Sequence, residues 1–152
     1  MFKFSWLFKF LLNYWPPFLL TGIHITKMAK DFSYARVELR MRFWNKNAVG
    51  THFGGSLFAM TDPFYMLLLM AKLGKEYYVW DKFADIDYVK PGKGIVHAEF
   101  YITDELINDI KKHTENGEKY LPVLPVNVID ENGDTVVTLN RTLYIRKKQR
   151  HR

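Results

Sequence analysis

The sequence predicts an α+β domain in which an antiparallel sheet wraps around one long buried helix. Residues 57–70 are apolar on every side, and a helix with no polar face has to be buried all round. Several later runs alternate apolar and polar residues with a period of two, the mark of half-buried strands. Between those runs, Pro91-Gly92-Lys93-Gly94 and Asn132-Gly133 read as hairpin turns.

The elements follow in order. Residues 1–20 are apolar and aromatic, with Trp6, Leu7, Phe10, Leu11 and Tyr14 at helical spacing beside Lys3 and Lys9. This pattern predicts a short amphipathic helix that packs on the body or on a partner subunit; the alternative is a helix lying on a membrane surface. Lys3, Lys9, Asn13 and Pro16-Pro17 interrupt the run, so a spanning helix is not expected. No small-residue cleavage site follows it, so a signal peptide is not expected either. Residues 35–45 form the first strand, with Val37, Leu39, Met41 and Phe43 on one side and Glu38, Arg40 and Arg42 on the other. The buried helix comes next and stops at Gly74. Strands are expected at 77–90, 95–102, 120–130 and 135–147, with a short helix at 104–113. Pro122 and Pro125 suit an edge strand or a bulge. The simplest way for an antiparallel sheet to bury a wholly apolar helix is to curl one face around it. That arrangement is the hotdog fold, with an extra helix at the N-terminus. The expected organisation is an N-terminal helix and linker at 1–30, the hotdog domain at 31–148 and a basic tail at 149–152.

Composition bounds the chemistry. The chain has 152 residues, enough for one domain, and 48% of them are apolar, enough for a substantial core. It has no cysteine, which excludes disulfides, Cys-ligated zinc and thiol catalysis and agrees with a reducing, cytoplasmic location. The net charge is +6, with a basic run over residues 146–152 that reads as a solvated tail or as a contact for an anionic group. Aromatic residues do not interleave with that run as base stacking requires, so nucleic acid is not expected as a partner. No membrane association is expected.

The segment from Asn47 to Asp62 carries the candidate chemistry. Gly54-Gly55 opens the apolar helix, and one carboxylate, Asp62, lies inside it. An ionised carboxylate buried among Leu, Phe and Met costs several kcal/mol unless it is paired or hydrogen-bonded. Two readings are open, and a kinked helix would accommodate both. Asp62 is a reacting group, or Thr61-Asp62-Pro63 is a helix start with Asp62 as its cap and Pro63 in the first turn.

Gly54, Gly55, Phe58 and Asp62, with Asn47 seven residues before Gly54, resemble the H-G-G-x-x-F-x-x-x-D signature of PaaI-like hotdog acyl-CoA thioesterases. The wider text is similar to a little-annotated bacterial branch of that family, and the element order extends the likeness over about residues 31–148. The resemblance implies hydrolysis of acyl-CoA thioesters by a homodimer or homotetramer, with acyl-CoA as substrate and no bound cofactor or metal. It implies that the Gly54 N–H stabilises the oxyanion, that Asp62 of the other subunit is general base or nucleophile, and that Asn47 positions water or thioester. Gly55, Phe53 and Phe58 would line the substrate. The histidine that precedes the glycine pair in the family is Phe53 here, and His52 stands one place earlier, either as its replacement or as a loop residue.

Other clusters point less clearly to chemistry. Ser56 lacks a G-x-S-x-G elbow. Asp85, Asp87, His97 and Glu99 fall on the solvent side of adjacent expected strands, where a metal site is not expected. The acidic turn at 130–134 lacks the spacing of a calcium loop. Lys90, Lys93 and residues 146–148 are either coenzyme A phosphate contacts or ordinary surface cations. The rival functions are a non-catalytic acyl-binding hotdog protein, a hotdog dehydratase and, last, a basic membrane- or nucleic-acid-associated interaction protein.

Overall fold

A computed structural model describes residues 4–149. Lys3 and residues 150–152, most of the expected tail, lie outside the described residues. The chain forms the helices α1 (Ser5–Asn13) and α2 (Pro16–Thr21), then the strands β1 (Ile23–Met28) and β2 (Tyr34–Arg40). The helices α3 (Gly54–Ala59) and α4 (Phe64–Leu73) follow, then β3 (Tyr77–Tyr88), β4 (Ile95–Tyr101), α5 (Asp104–His113), β5 (Lys119–Tyr120), β6 (Val123–Asp130) and β7 (Thr135–Lys147). The strands make one sheet in the order β1-β2-β4-β6-β7-β3, antiparallel throughout, with β5 pairing β7 beside that path.

Alternation builds the core as expected. Val37 and Leu39 of β2, Val96, Ala98 and Phe100 of β4, and Val137, Leu139, Leu143 and Ile145 of β7 turn inward. They close on Leu57, Met60, Phe64, Leu68 and Leu69 of the helical stretch. Each fully buried Leu or Phe contributes roughly 1.5–3 kcal/mol, so this layer dominates the stability. Residues 54–73 are also apolar and long enough to cross a membrane, but they are the filling of the sheet. The architecture is the hotdog fold.

Four expectations change. The sheet begins at Ile23, not after residue 31, because β1 pairs with β2 over the stretch expected to be linker. The strand expected at 35–45 ends at Arg40. The buried helix is two helices. Pro63 has no N–H to donate, and its ring would clash with the carbonyl of residue 59 in a continuous helix. The chain therefore tightens, with Thr61 N–H donating to Phe58 O at 3.1 Å and Asp62 N–H to Ala59 O at 3.2 Å, before α4 starts. Lastly, Pro91-Gly94 does not join neighbouring strands: β3 lies against β7 and β4 against β2 and β6. Asn132-Gly133 does form the β6–β7 hairpin. Pro125 sits where β6 has only β7 as a neighbour, since β4 pairs no further than Val128, so its missing N–H faces no strand.

The two outer strands differ. Along β1, the side-chain amide of Asn13 accepts from Ile25 N–H at 2.7 Å and donates to Ile25 O at 3.1 Å, as a neighbouring strand would. Lys9 Nζ donates to Thr26 O at 2.6 Å. That edge is blocked by α1. β3 is the opposite edge: it pairs β7 on one side only and exposes Tyr78, Trp80 and Phe83.

Candidate functional site

The loop before α3 is held by its own polar groups. Asn47 Oδ1 accepts from the N–H groups of Val49 (3.1 Å) and Thr51 (3.0 Å), while its Nδ2 donates to Thr51 Oγ1 (2.8 Å) and His52 O (3.2 Å). His52 is buried, with Nε2 3.0 Å from Gly94 O and its backbone N–H donating to Gly92 O at 2.9 Å. Burial lowers its pKa, so the ring is neutral near pH 7. His52 fastens the start of α3 to the turn at 91–94, while Asn47 braces the loop that carries it. Phe53 is the extended residue before the helix and is exposed.

Gly54 and Gly55 occupy the first turn of α3, where backbone N–H groups have no acceptor in a preceding turn. The Tyr88 ring from β3 lies over Gly54, and its hydroxyl donates to Gly54 O at 3.1 Å. A Cβ at Gly54 would stand 3.3 Å from that ring, tighter than most side-chain contacts, so glycine keeps this approach open.

Asp62 lies at the far end of α3, in the break before α4. Eight residues at 1.5 Å per residue separate it from Gly54 by roughly 12 Å, so one chain does not bring the two together. Its side chain is 53% exposed in the single chain, not buried as its apolar surroundings predict. The Pro63 break turns the junction outward. The cap reading is not met either: Pro63 precedes α4, and no side chain caps that helix.

The buried charge is Arg141, on the inner face of β7 and only 2% exposed. Its Nη1 lies 3.4 Å from Asp62 Oδ2 and 3.5 Å from Asp81 Oδ1. Its Nη2 donates to Thr61 Oγ1 at 3.1 Å and Phe58 O at 3.4 Å, and its guanidinium sits 4.8 Å from the Phe58 ring centroid. The contacts to the two carboxylates are long for hydrogen bonds but within ion-pair reach. One guanidinium thus balances two carboxylates from behind. Burial, with the Asp62 charge adding to it, pushes the Asp81 carboxyl up to about 6, while Arg141 opposes the shift.

The structure therefore gathers Asn47, His52, Phe53, Gly54 and Gly55 at one end of α3, and Phe58 and Asp62 at the other. Asp85 and Asp87 on β3 lie apart from His97 and Glu99 on β4, because β3 and β4 are not neighbours. No cluster of three or more His, Asp or Glu suited to a metal occurs among the described residues. Lys90 is bound to Asp130 and Asp134, at 2.7 and 2.6 Å. The guanidinium Nε of Arg146 donates to Gly117 O at 2.7 Å.

The model of a family described as a domain of unknown function, DUF4442, matches residues 4–145. The chain belongs to that family. No curated protein matches the sequence. Among solved structures, PA5026 from Pseudomonas aeruginosa, described as a protein of unknown function and probable thioesterase, superimposes with a TM-score of 0.81 at 20% identity, over 95% of this chain and 96% of that one. The thioesterase HI1161 from Haemophilus influenzae gives 0.65 at 14% identity, over 92% and 90%. The PaaI protein of the phenylacetic acid degradation operon of E. coli gives 0.59 at 14%, over 91% and 88%. This DUF4442 chain thus shares the hotdog fold of these structures.

Arg141, Asp81 and Tyr88 do not stand out in the motif. The signal for Arg141 is its parity: it shares the inward set of β7 with Val137, Leu139, Leu143 and Ile145. A charge at a core position of a strand calls for a buried partner.

Proposed function

We propose that this DUF4442 chain hydrolyses acyl-CoA thioesters as a dimer, with Asp62 of one protomer acting on a carbonyl held at the partner's Gly54. The observation that carries the reading is Asp62 itself: a solvent-reaching carboxylate at a helix break, backed by the buried Arg141. As general base, Asp62 takes a proton from water as the water oxygen bonds to the carbonyl carbon. The carbonyl electron pair moves to oxygen, which the Gly54 N–H stabilises. Collapse expels the coenzyme A thiolate, and the proton held by Asp62 neutralises it. As nucleophile, Asp62 would instead bond to the carbonyl carbon and expel the coenzyme A thiolate, leaving a mixed anhydride that water then opens to the free acid and the Asp62 carboxylate.

Edge geometry supports the dimer. β3 is the open, aromatic edge, and such strands pair with further strands. Both half-sites lie along β3: Asp81 beside Asp62 and Arg141, Tyr88 against Gly54. Two-fold antiparallel pairing of β3 with its copy reverses the strand. The Asp81 end of one protomer then faces the Tyr88 end of the other, which sets Asp62 toward the partner's Gly54. A tetramer would be two such dimers. Asn47 and His52 act through the loop that aims Gly54, and Phe53, Gly55 and Phe58 contact the acyl group.

The test is a panel of acyl-CoAs of varied chain length and aromatic character, with Asp62→Asn beside wild type. Turnover of at least one thioester that falls by about a hundredfold or more in the variant is expected. Binding without turnover on the whole panel, or full activity in Asp62→Asn, would overturn the reading.

A further inference from the structure

The N-terminal unit leaves an unusual surface. α1 turns Phe8 and Asn13 into the body, but Trp6, on its other side, is 67% exposed, and Phe10 and Tyr14 are exposed beside it. The patch continues across Leu19 of α2 to Phe43 and Trp44. Those two rings meet edge to face at the tip of the loop after β2, with Phe43 83% exposed. Trp44 Nε1 donates to Leu20 O at 3.1 Å, which fastens the tip to α2. Two clefts of about 400 and 450 Å³ run through this surface and adjoin at Asn13, Leu19 and His24. A contiguous apolar surface of this kind marks an interaction site.

Charge identifies the occupant. The two clefts are lined by Lys9, Arg40 and Arg42 and by no acidic residue, and the nearest acids in sequence are Asp31 and Glu38. Both acids are neutralised locally: Lys72 lies 3.1 Å from Asp31, and Arg40 and Arg36 lie 3.0 and 3.6 Å from Glu38. Arg42 and Lys46 flank the Phe43-Trp44 tip and are exposed. A second copy of the chain seated on this face would bring the same acid-poor, cationic surface against it, and like charges across an interface repel. An anionic lipid surface offers the opposite charge to the cations and an apolar boundary layer that Trp and Tyr rings prefer.

We infer that the face formed by α1, α2 and the Phe43-Trp44 tip docks on anionic membrane surfaces. The exposed side of α1 is then the membrane-surface helix that was the alternative reading of the sequence. Docking there leaves the β3 edge free.

The experiment is flotation of the full chain with vesicles of phosphatidylcholine alone, or of phosphatidylcholine mixed with phosphatidylglycerol, alongside its tryptophan emission and solution mass. The chain is expected to float with the anionic vesicles, with a blue-shifted emission and with binding that weakens as salt rises. Arg42→Glu with Lys46→Glu should weaken that binding at least about tenfold. Phe43→Ser, in a loop where it cannot unfold a helix, and Trp6→Ser with Phe10→Ser should also weaken it at least about tenfold. No flotation with anionic vesicles, or flotation indifferent to all three variants, would overturn the inference. So would aromatic variants that lower the solution mass without altering vesicle binding, since a second copy would then cover the face.

Discussion

The guanidinium of Arg141, buried between the sheet and the break in the core helix, approaches the Asp62 carboxylate at 3.4 Å from its inner side. Removing one member of a buried ion pair leaves its partner's charge uncompensated and typically costs about 3–5 kcal/mol. Asp62 is half exposed, so water offsets part of that, while the less exposed Asp81 feels more of it. Arg141→Ala is expected to lower stability by about 2–4 kcal/mol in urea denaturation and to abolish thioester turnover. Arg141→Lys, which keeps the charge but loses the fork that spans Asp62 and Thr61, should recover much of the stability and little of the activity.

Asp62→Asn separates chemistry from structure. The ion pair is long and open to water, so its loss should shift stability by less than about 1 kcal/mol. Turnover should fall about a hundredfold or more. A helix-capping role would reverse this, with a loss of up to about 2 kcal/mol and retained activity. Urea midpoints and kcat on the same preparations distinguish the two.

Asp81 predicts a pH dependence of stability. Its carboxyl is pushed up to about 6 in the folded chain, from an ordinary value of 3.8, chiefly by burial. The folded state therefore binds this proton more tightly than the unfolded state. The stabilisation by that proton is fully present below the unfolded value and is lost as pH rises through the folded one. Wild type should lose stability relative to Asp81→Asn between about pH 4 and 6 and run parallel to it above that window. Thermal midpoints measured from pH 4 to 8 check this; a constant difference would refute the placement of Asp81.

Gly54 and Tyr88 form a second coupled pair. Gly54→Ala sets a Cβ 3.3 Å from the Tyr88 ring and in the path of an approaching carbonyl, so kcat should fall at least about tenfold. Tyr88→Phe removes only the hydroxyl bond to Gly54 O, which costs about 1 kcal/mol. If Tyr88 crowding were the sole effect, Tyr88→Ala would rescue Gly54→Ala. Persistent inactivity of the double variant in steady-state assays would assign the loss to carbonyl access.

Much of this was legible in the sequence, for identifiable reasons. The apolar run and the alternating strands are periodicities, and burial enforces them. The Gly54-to-Asp62 spacing is a count along the chain, but Asp62 lies past the end of α3 at Ala59. The Asp62 environment was not legible. Pro63 signals either a kink or a start, and only packing decides which. Asp81 was hidden by a bulge: between Asp81 and Phe83 the register with β7 shifts by one residue. Counting back from Ala84, Ile86 and Tyr88 assigns Asp81 to the outer face with Asp85 and Asp87, but the extra residue turns it inward, opposite Leu143. β1 was missed because its outer edge is satisfied by Asn13 and Lys9, a tertiary pairing that local pattern does not encode.

The cross-subunit arrangement makes the sharpest prediction. If Asp62 of one chain serves the partner's Gly54, two inactive variants should complement each other. Asp62→Asn supplies an intact Gly54, and Gly54→Val supplies an intact Asp62. Unfolded together and refolded in equal amounts, half of the dimers should be mixed, and each mixed dimer holds one complete site of two. Activity should therefore recover to about a quarter of wild type. A site built within one chain would recover nothing, because each chain would keep its own defect. Trp80→Glu with Phe83→Glu places like charges on the open β3 edge. It should give monomers by native mass measurement that show no turnover, with the fold retained. Active monomers would disprove the shared site.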